Sequence, residues 1–438
     1  MLPKLFNSVG ISRYFNNTLW LLMEKGVRLI DAFFIGIWIA NYLGPTEYGV
    51  LSYSESFVYL FTAIAALGLD QIIVKELVAH PEKRDSIMGT ALSLRFLGFG
   101  LMILVMIPII WLQGLDRVTI YLIFFLSMAV ALQGFKIIDF YFQSQVQSRH
   151  TAICNILVVG SLAVFKVYLI SFEYSLLWFG FAIFLEWLLL SLTYLLVYRR
   201  QRLNLFAWRF DKALAKKFIK KGRLLVLGSV AAALYMKIDQ VMIRDFLGEY
   251  EVGIYSVAVK LTSVWIFVTV AINQSIFPSL VATRKESRAK FIERLQKLYD
   301  ILMKVAVFAC ISYTFLGPWM VDTFFGLAYA ESSQLVVIYI WSIVFLFLSN
   351  ASWGFYLNEG LEKLASIRLV VGAVVNISLN IILIRLYGLE GAAYATLISY
   401  ALSGYLINGC FKDTRENFYL QTKSIINILS PKTWIKPL

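Results

Sequence analysis

Leu43–Ser54 reads LGPTEYGVLSYS, and Leu247–Ala258 reads LGEYEVGIYSVA. Each begins Leu-Gly, runs four residues to a second Gly, and continues with an aliphatic residue, one free position and Ser. Each also leads into a long apolar run, and an Asp lies in the apolar run before it, Asp31 and Asp239, at different distances from the Leu-Gly. So short a match carries less weight than its place. The two copies stand at equivalent points in a first and a second set of six apolar runs.

Those runs set the class of the protein. The chain is 60% hydrophobic and 15% charged, with a mean hydropathy of +0.73, where a soluble domain carries about 25% charged residues. Apolar segments fall at about 16–42, 47–68, 87–112, 119–143, 150–171, 174–198, 222–246, 252–281, 300–326, 333–358, 362–385 and 389–411. Each is long enough to cross about 30 Å of hydrocarbon. Only helices and closed barrels satisfy their backbone there, and runs this long and uniform are helices. The expectation is an all-α membrane protein of twelve transmembrane helices. Its amino terminus, MLPKLFNSVGISRYF, has no apolar core ahead of its charges and is not expected to be a cleaved signal.

Six helices per set is an even number, so both sets enter the membrane from the same side. Parallel repeats of this kind form two lobes around a central site. The expected organisation is a first lobe over 1–198, a basic linker over 199–221, a second lobe over 222–411, and a tail over 412–438. Charge gives the orientation. With the amino terminus inside, the cytoplasmic segments hold 28 of the 40 Lys and Arg, and the outer loops only Arg117, Arg244 and Arg385. Both termini are therefore expected in the cytoplasm. The net charge of +13 then lies against anionic lipid headgroups and calls for no nucleic-acid partner. Cys154, Cys310 and Cys410 lie in apolar runs without metal-ligand spacing, and His80 and His150 in or beside short loops, so no metal site or cofactor is expected.

Nine basic residues lie well inside the spans, away from their ends: Lys25, Arg28, Arg95, Lys136, Lys166, Lys237, Lys260, Lys304 and Arg368. Six acids are weighed with them: Glu24, Asp31, Glu55, Asp139, Glu186 and Asp239. A charge at a helix centre costs roughly 2.5–3.5 kcal/mol on insertion scales, so these side chains should face water or one another. Arg28–Asp31 and Lys136–Asp139 have the i,i+3 spacing of local pairs. Lys25 and Lys166 read as span-end side chains that snorkel to an interface. In ALYMKIDQVMI (233–243), Lys237 and Asp239 are two apart and point to different sides of their helix. Lys237 lies roughly 20 Å from the cytoplasmic end at 1.5 Å per residue and reads as a cation lining a central cavity, with a buried interhelical salt bridge as the competing account. Glu55 and Lys260, nearly equal in depth on helices two and eight, suggest a closure of the outer side. The amphipathic stretches DQIIVKELVAHPEKRD and ESRAKFIERLQKLYD are expected along the inner membrane surface. Among Pro108, Pro278 and Pro318, Pro278 is the expected hinge.

LGPTEYGVLSYSESFVYLFTAIAALGLDQIIVKEL, YMKIDQVMIRDFLGEYEVGIYSVAVKL, FFGLAYAESSQLVVIYIWS and YGLEGAAYATLISYAL together resemble the bacterial O-antigen and polysaccharide-repeat flippases. That family belongs to the multidrug/oligosaccharidyl-lipid/polysaccharide exporter superfamily. The likeness runs from about Arg13 to Gly409. It implies a MATE-like fold of two six-helix lobes around a cavity that opens alternately to each side. It also implies a cargo, an oligosaccharide repeat on undecaprenyl pyrophosphate moved to the periplasmic leaflet of the inner membrane, with proton or sodium coupling. The polysaccharide polymerase machinery is the protein partner such a flippase implies. Lys237 and Asp239 fall on the family's charged seventh-helix motif, and Lys260 on its eighth-helix basic position.

The surplus of bases suits a diphosphate cargo, because a hydrated, cation-lined path lowers the barrier to moving it. Lys237, Lys260, Arg28, Arg95 and Lys304 are the expected substrate-path cations. Asp239, Asp31 and Glu55 are the expected ion-coupling or gate residues. A drug or organic-cation exporter of the same superfamily is the alternative, and it would favour an acidic cavity. A catalytic role is not expected: the outer loops are short and carry no paired carboxylates, nucleophile–base set or phosphate-cradling loop.

Overall fold

The structure, a computed structural model, describes residues 8–428, apart from the side chains of 8–16, Leu224, Gln274 and Pro278. The side chain of Pro278, the expected hinge, thus lies outside the described residues. The described chain is helical throughout: α1 Ser8–Ile30, α2 Gly36–Ala66, α3 Asp70–Ala79, α4 Arg84–Gln113, α5 Arg117–Leu132, α6 Ile137–Ser144, α7 Arg149–Ser171, α8 Leu176–Arg200, α9 Lys212–Phe246, α10 Glu249–Glu286, α11 Arg288–Phe324, α12 Ser332–Tyr339, α13 Ser342–Asn358, α14 Glu362–Ala401, α15 Ile407–Cys410 and α16 Arg415–Ile428. Among these residues ten helical stretches are long and apolar enough to cross a membrane. Two are far longer than one crossing needs. Asn17–Ala79 has 63 residues and Glu362–Cys410 has 49, or about 95 and 74 Å at 1.5 Å per residue. Each is broken by a glycine outside helical geometry, Gly44 at φ 67° and Gly388 at φ 59°, a conformation any Cβ would strain.

The chain forms two compact units, residues 1–43 with 54–233, and residues 44–53 with 234–438. In the first unit, α3 places Ile72, Ile73 and Leu77 in the core, and Glu76 is buried with them. Its carboxylate accepts from Lys217 Nζ at 2.7 Å and Lys221 Nζ at 2.8 Å, so α3 is tied to the first turns of α9. Two basic residues of the expected linker therefore meet a protein carboxylate. Leu104, Trp111 and Leu112 of α4 are exposed, as an apolar helix facing lipid requires.

In the second unit, α11 is continuous for 37 residues. The stretch expected to lie on the membrane surface is its first part, with Phe291, Leu295 and Tyr299 buried. The 412–438 tail also folds in over its described part. Asn417, Leu420, Gln421 and Ser424 of α16 are buried, and Gln421 Oε1 accepts from Asn408 Nδ2 at 3.0 Å. The two copies of the repeat meet here. A Cβ on Gly49 would lie 1.8 Å from the Glu249 carbonyl oxygen, and one on Gly253 would lie 1.9 Å from that of Pro45. Only hydrogen side chains permit this approach.

The α4–α5 turn shows how a loop ends its helix. Asp116 caps α5, accepting from the amides of Val118 at 2.9 Å and Thr119 at 3.2 Å and from the Thr119 hydroxyl. Burial tends to raise the Asp116 pKa, but the bonds from Thr119 and Val118 outweigh it and hold the carboxyl below its usual value. Asp116→Ala should lower stability by about 1 kcal/mol at neutral pH. With a depressed folded pKa, the carboxylate contribution is complete above the unfolded value of about 3.9 and fades as pH falls through the folded one. Thermal unfolding of both proteins at pH 7 and pH 3 checks this; an equal gap at the two pH values would refute the charged cap.

Candidate functional site

Three of the polar sites within the two units involve side chains singled out in the sequence. The first lies among α1, α7 and α8. Asp31 begins a π-helical turn over Asp31–Ile35, which shifts the residues after it from their α-helical positions. The expected Arg28–Asp31 pair does not form, because each side chain takes a partner from another helix. Arg28 donates to Glu186 at 3.1 Å and to Asn155 Oδ1 at 2.8 Å, and its Nε lies 3.5 Å from Glu24. Asp31 instead accepts from Lys166 Nζ at 3.0 Å, and Glu186 lies 4.0 Å from the same ammonium. Lys166, expected to snorkel outward, is buried at 9% exposure. Its carbon stem does not reach an interface because two carboxylates hold the head inside. Three acids against two bases make this a nearly self-neutralising network. One of its atoms, Asp31 Oδ1, is buried without a hydrogen-bond partner.

The second site sits where a 3-10 turn, Gln133–Lys136, separates α5 from α6. The expected Lys136–Asp139 ion pair is not made, because the Asp139 carboxylate is taken up by neutral donors. Asp139 accepts from the Thr151 hydroxyl at 2.6 Å and from Gln143 at 2.7 Å. Arg95, on α4, is ion-paired through Nη2 with Asp70. Arg95, Asp70 and Lys136 line a common cavity with Tyr59, Thr62 and Gln133.

The third site is built on Asp239 in the second unit. Asp239 is 4% exposed. Its Oδ1 accepts from Asn380 Nδ2 at 2.7 Å, and its Oδ2 from Tyr255 at 3.1 Å and from the Thr396 hydroxyl. Asn380 Nδ2 also donates to Asn376 Oδ1 at 3.2 Å, while Asn380 Oδ1 is buried with no partner. No ion pair to Asp239 occurs among the described residues. The α10 and α14 helices thus turn four oxygen-bearing side chains, Tyr255, Asn376, Asn380 and Thr396, toward the carboxylate carried by α9. A buried carboxylate satisfied only by neutral donors keeps its charge at a cost of several kcal/mol unless a proton or cation accompanies it. An oxygen-lined site of this kind suits a hard monovalent ion or a proton. Among the described residues no three His, Cys, Asp or Glu side chains gather as a metal cluster.

Lys237, on the turn that carries Asp239, is half-buried and donates to Gln240 Oε1 at 3.2 Å. Lys260 is half-buried with its ammonium 5.4 Å over the Tyr48 ring, Lys304 is half-buried on α11, and Glu55 is exposed on α2. Sequence reasoning missed Asn376, Asn380 and Thr396 because they are uncharged. The signal was present: NISLN sets two amides four apart within an apolar run, and polar groups in such runs mark function as charges do.

Comparison with known proteins follows the same lines. Residues 15–284 match the family described as polysaccharide biosynthesis protein. A probable low-salt glycan biosynthesis flippase of Haloferax volcanii is 26% identical over 46% of this chain and 45% of its own length, so the chain spans under half of that relative. Among solved structures, the inward-facing form of a multidrug resistance MATE family transporter superposes with a TM-score of 0.72 at 14% identity, covering 92% of this chain and 96% of the other. The lipid II flippase MurJ, in an inward closed conformation, superposes at 0.68 and 13% identity, covering 97% and 94%. At such identities the likeness concerns the fold: an all-helical, multi-pass membrane transporter architecture.

Proposed function

We propose, from the premise that this chain belongs to the polysaccharide biosynthesis protein family, that it moves undecaprenyl-pyrophosphate-linked oligosaccharide repeats from the cytoplasmic to the periplasmic leaflet of the inner membrane. The family and its glycan-flippase relative support transport of a lipid-linked glycan rather than catalysis. The observation that carries the finer reading is the surplus of basic over acidic side chains well inside the apolar segments, nine against seven with Asp322 counted and the three residues at each end set aside. An anionic, diphosphate-bearing cargo needs such a path, and an organic cation would be repelled by it. Counting each glycine-broken stretch as two crossings supports twelve helices, an even number that leaves both termini on one side. The excess of Lys and Arg in the loops on that side assigns it to the cytoplasm. Alternating access is the mechanism this reading entails, with the polymerase machinery receiving the cargo outside.

The coupling cation, a proton or sodium, is assigned to Asp239. Support for this comes from the buried carboxylate, the neutral donors around it, and the unpartnered Asn380 oxygen. Lys237, one helical turn from Gln240, is assigned to the path of the cargo.

The test uses proteoliposomes carrying the undecaprenyl-pyrophosphate oligosaccharide in one leaflet, with its arrival in the other followed with and without a proton or sodium gradient. Wild type should transfer it, and Lys237→Ala should slow transfer about tenfold. Equal rates would return Lys237 to a structural role. No transfer of several different repeats by folded wild type would overturn the flippase reading in favour of an organic-cation exporter.

A further inference from the structure

The cavity at the 3-10 turn has a volume of about 210 Å³ and lies wholly within the first unit. One ordered water needs about 10–15 Å³ on this kind of measure, and drug-sized ligands occupy pockets from about 300 Å³ upward. The space therefore fits a compact, hydrated group and not a chain of sugars. Its chemistry is cationic. Arg95 and Lys136 both line it, against the single acid Asp70.

Arg95 is 9% exposed, and its Nε is buried without a hydrogen-bond partner. One edge of the guanidinium thus holds Asp70 while another donor is unused. Lys136 makes no ion pair among the described residues, and its ammonium lies 5.9 Å over the Phe140 ring. The Arg95 guanidinium lies 5.8 Å from the same ring. One aromatic face offers each cation about 0.5–1 kcal/mol, and beyond it Lys136 has only the longer-range attraction of Asp139 and Glu24. Asp70 is the accessible part of the set: its side chain is 45% exposed while Arg95 is at 9%.

We propose that this pocket receives a diphosphate group, with Arg95 and Lys136 as its donors and Asp70 as the resident carboxylate it displaces. Asp70 holds the place of one phosphoryl oxygen on Arg95 Nη2. An incoming diphosphate takes that position, reaches the unused Nε, and places its remaining charge toward Lys136. Arginine suits this exchange, because its fork presents paired donors to carboxylate and phosphate alike. The 3-10 turn provides the position of Lys136: continued α-helix would turn it elsewhere. The assignment rests on the lipid-diphosphate cargo proposed above and locates the headgroup within the first unit.

The experiment is calorimetric titration of the purified full chain in nanodiscs with inorganic pyrophosphate, orthophosphate and undecaprenyl pyrophosphate, for wild type, Lys136→Gln and Asp70→Asn. Lys136→Gln should weaken pyrophosphate and the lipid diphosphate at least tenfold. Asp70→Asn should tighten both several-fold, because it removes a competitor. A purely structural Asp70–Arg95 pair would give the opposite, a less stable protein with no gain in affinity. Affinities unchanged in both variants, or no pyrophosphate binding by folded wild type, would overturn the pocket. Binding of pyrophosphate but not of the lipid form would overturn the cargo headgroup as its occupant. The outcome is separable from transport. Variant-sensitive binding without translocation of any repeat leaves the pocket standing and removes the flippase, and translocation without such binding does the reverse.

Discussion

Gly253→Val is expected to give a protein that neither keeps its native stability nor moves cargo. A Cβ at Gly253 would stand 1.9 Å from the Pro45 carbonyl oxygen and 2.8 Å from the carbonyl carbon. Both atoms are backbone, so no rotamer change relieves the overlap. The helices must separate by more than an ångström, and valine adds two methyl groups to the gap. Overpacking a close contact typically costs 1–3 kcal/mol, and this one should fall near the upper end, about 3 kcal/mol. Gly160→Ala is the control, since a Cβ there meets nothing within 4 Å. Thermal unfolding and transport by the two variants decide the matter. A Gly253→Val protein with wild-type melting and transport would show that the close approach is dispensable.

Asp239→Asn is expected to abolish gradient stimulation while leaving the fold intact. The substitution keeps the shape and replaces one acceptor oxygen by a donor. At least one of the bonds from Asn380, Thr396 and Tyr255 must then fail, at about 1–3 kcal/mol for an unsatisfied buried group. Against this, it removes a buried charge without a basic partner, whose cost is of similar or larger size. On the proposed assignment of a coupling ion to Asp239, the balance depends on that ion. With sodium or protons scarce, the variant should be at least as stable as wild type. With the ion abundant, wild type gains up to about 2.7 kcal/mol at a hundredfold excess over Kd, and the variant gains nothing. Melting temperature titrated against sodium at high pH, and against pH without sodium, separates the two ions. Gradient-driven transport should fall at least tenfold. An identical sodium and pH response in both proteins would remove Asp239 from coupling.

The fold was legible because hydrocarbon thickness dictates the length of apolar runs, and Gly44 and Gly388 mark breaks in the two longest stretches. What escaped reading was the pairing of charges. Arg28–Asp31 and Lys136–Asp139 obey the i,i+3 rule only if the helix stays α-helical. A π turn starts at Asp31 and a 3-10 turn ends at Lys136, Arg28, Asp31 and Asp139 take partners from other helices, and nothing in FFI or QGF announces either turn. Lys166 looked like a terminal snorkel because its partners, Asp31 and Glu186, are 135 and 20 residues distant. Asp239 was singled out for its charge, while the amides and hydroxyl that surround it drew no notice. The helix α16 reads as a polar tail because its amides are meant for Asn408, Ser352 and Tyr299, groups that sequence proximity does not reveal.

The glycine contact has a further meaning in symmetry. Gly49 and Gly253 are equivalent positions of the repeat, and so are Pro45 and Glu249. Gly49 meets Glu249 while Gly253 meets Pro45. Position i of one copy touches position j of the other, and j touches i, which is the rule of an isologous dimer interface. One residue type, glycine, is thus required at the same position of both copies, and a substitution at either one strains the same close approach.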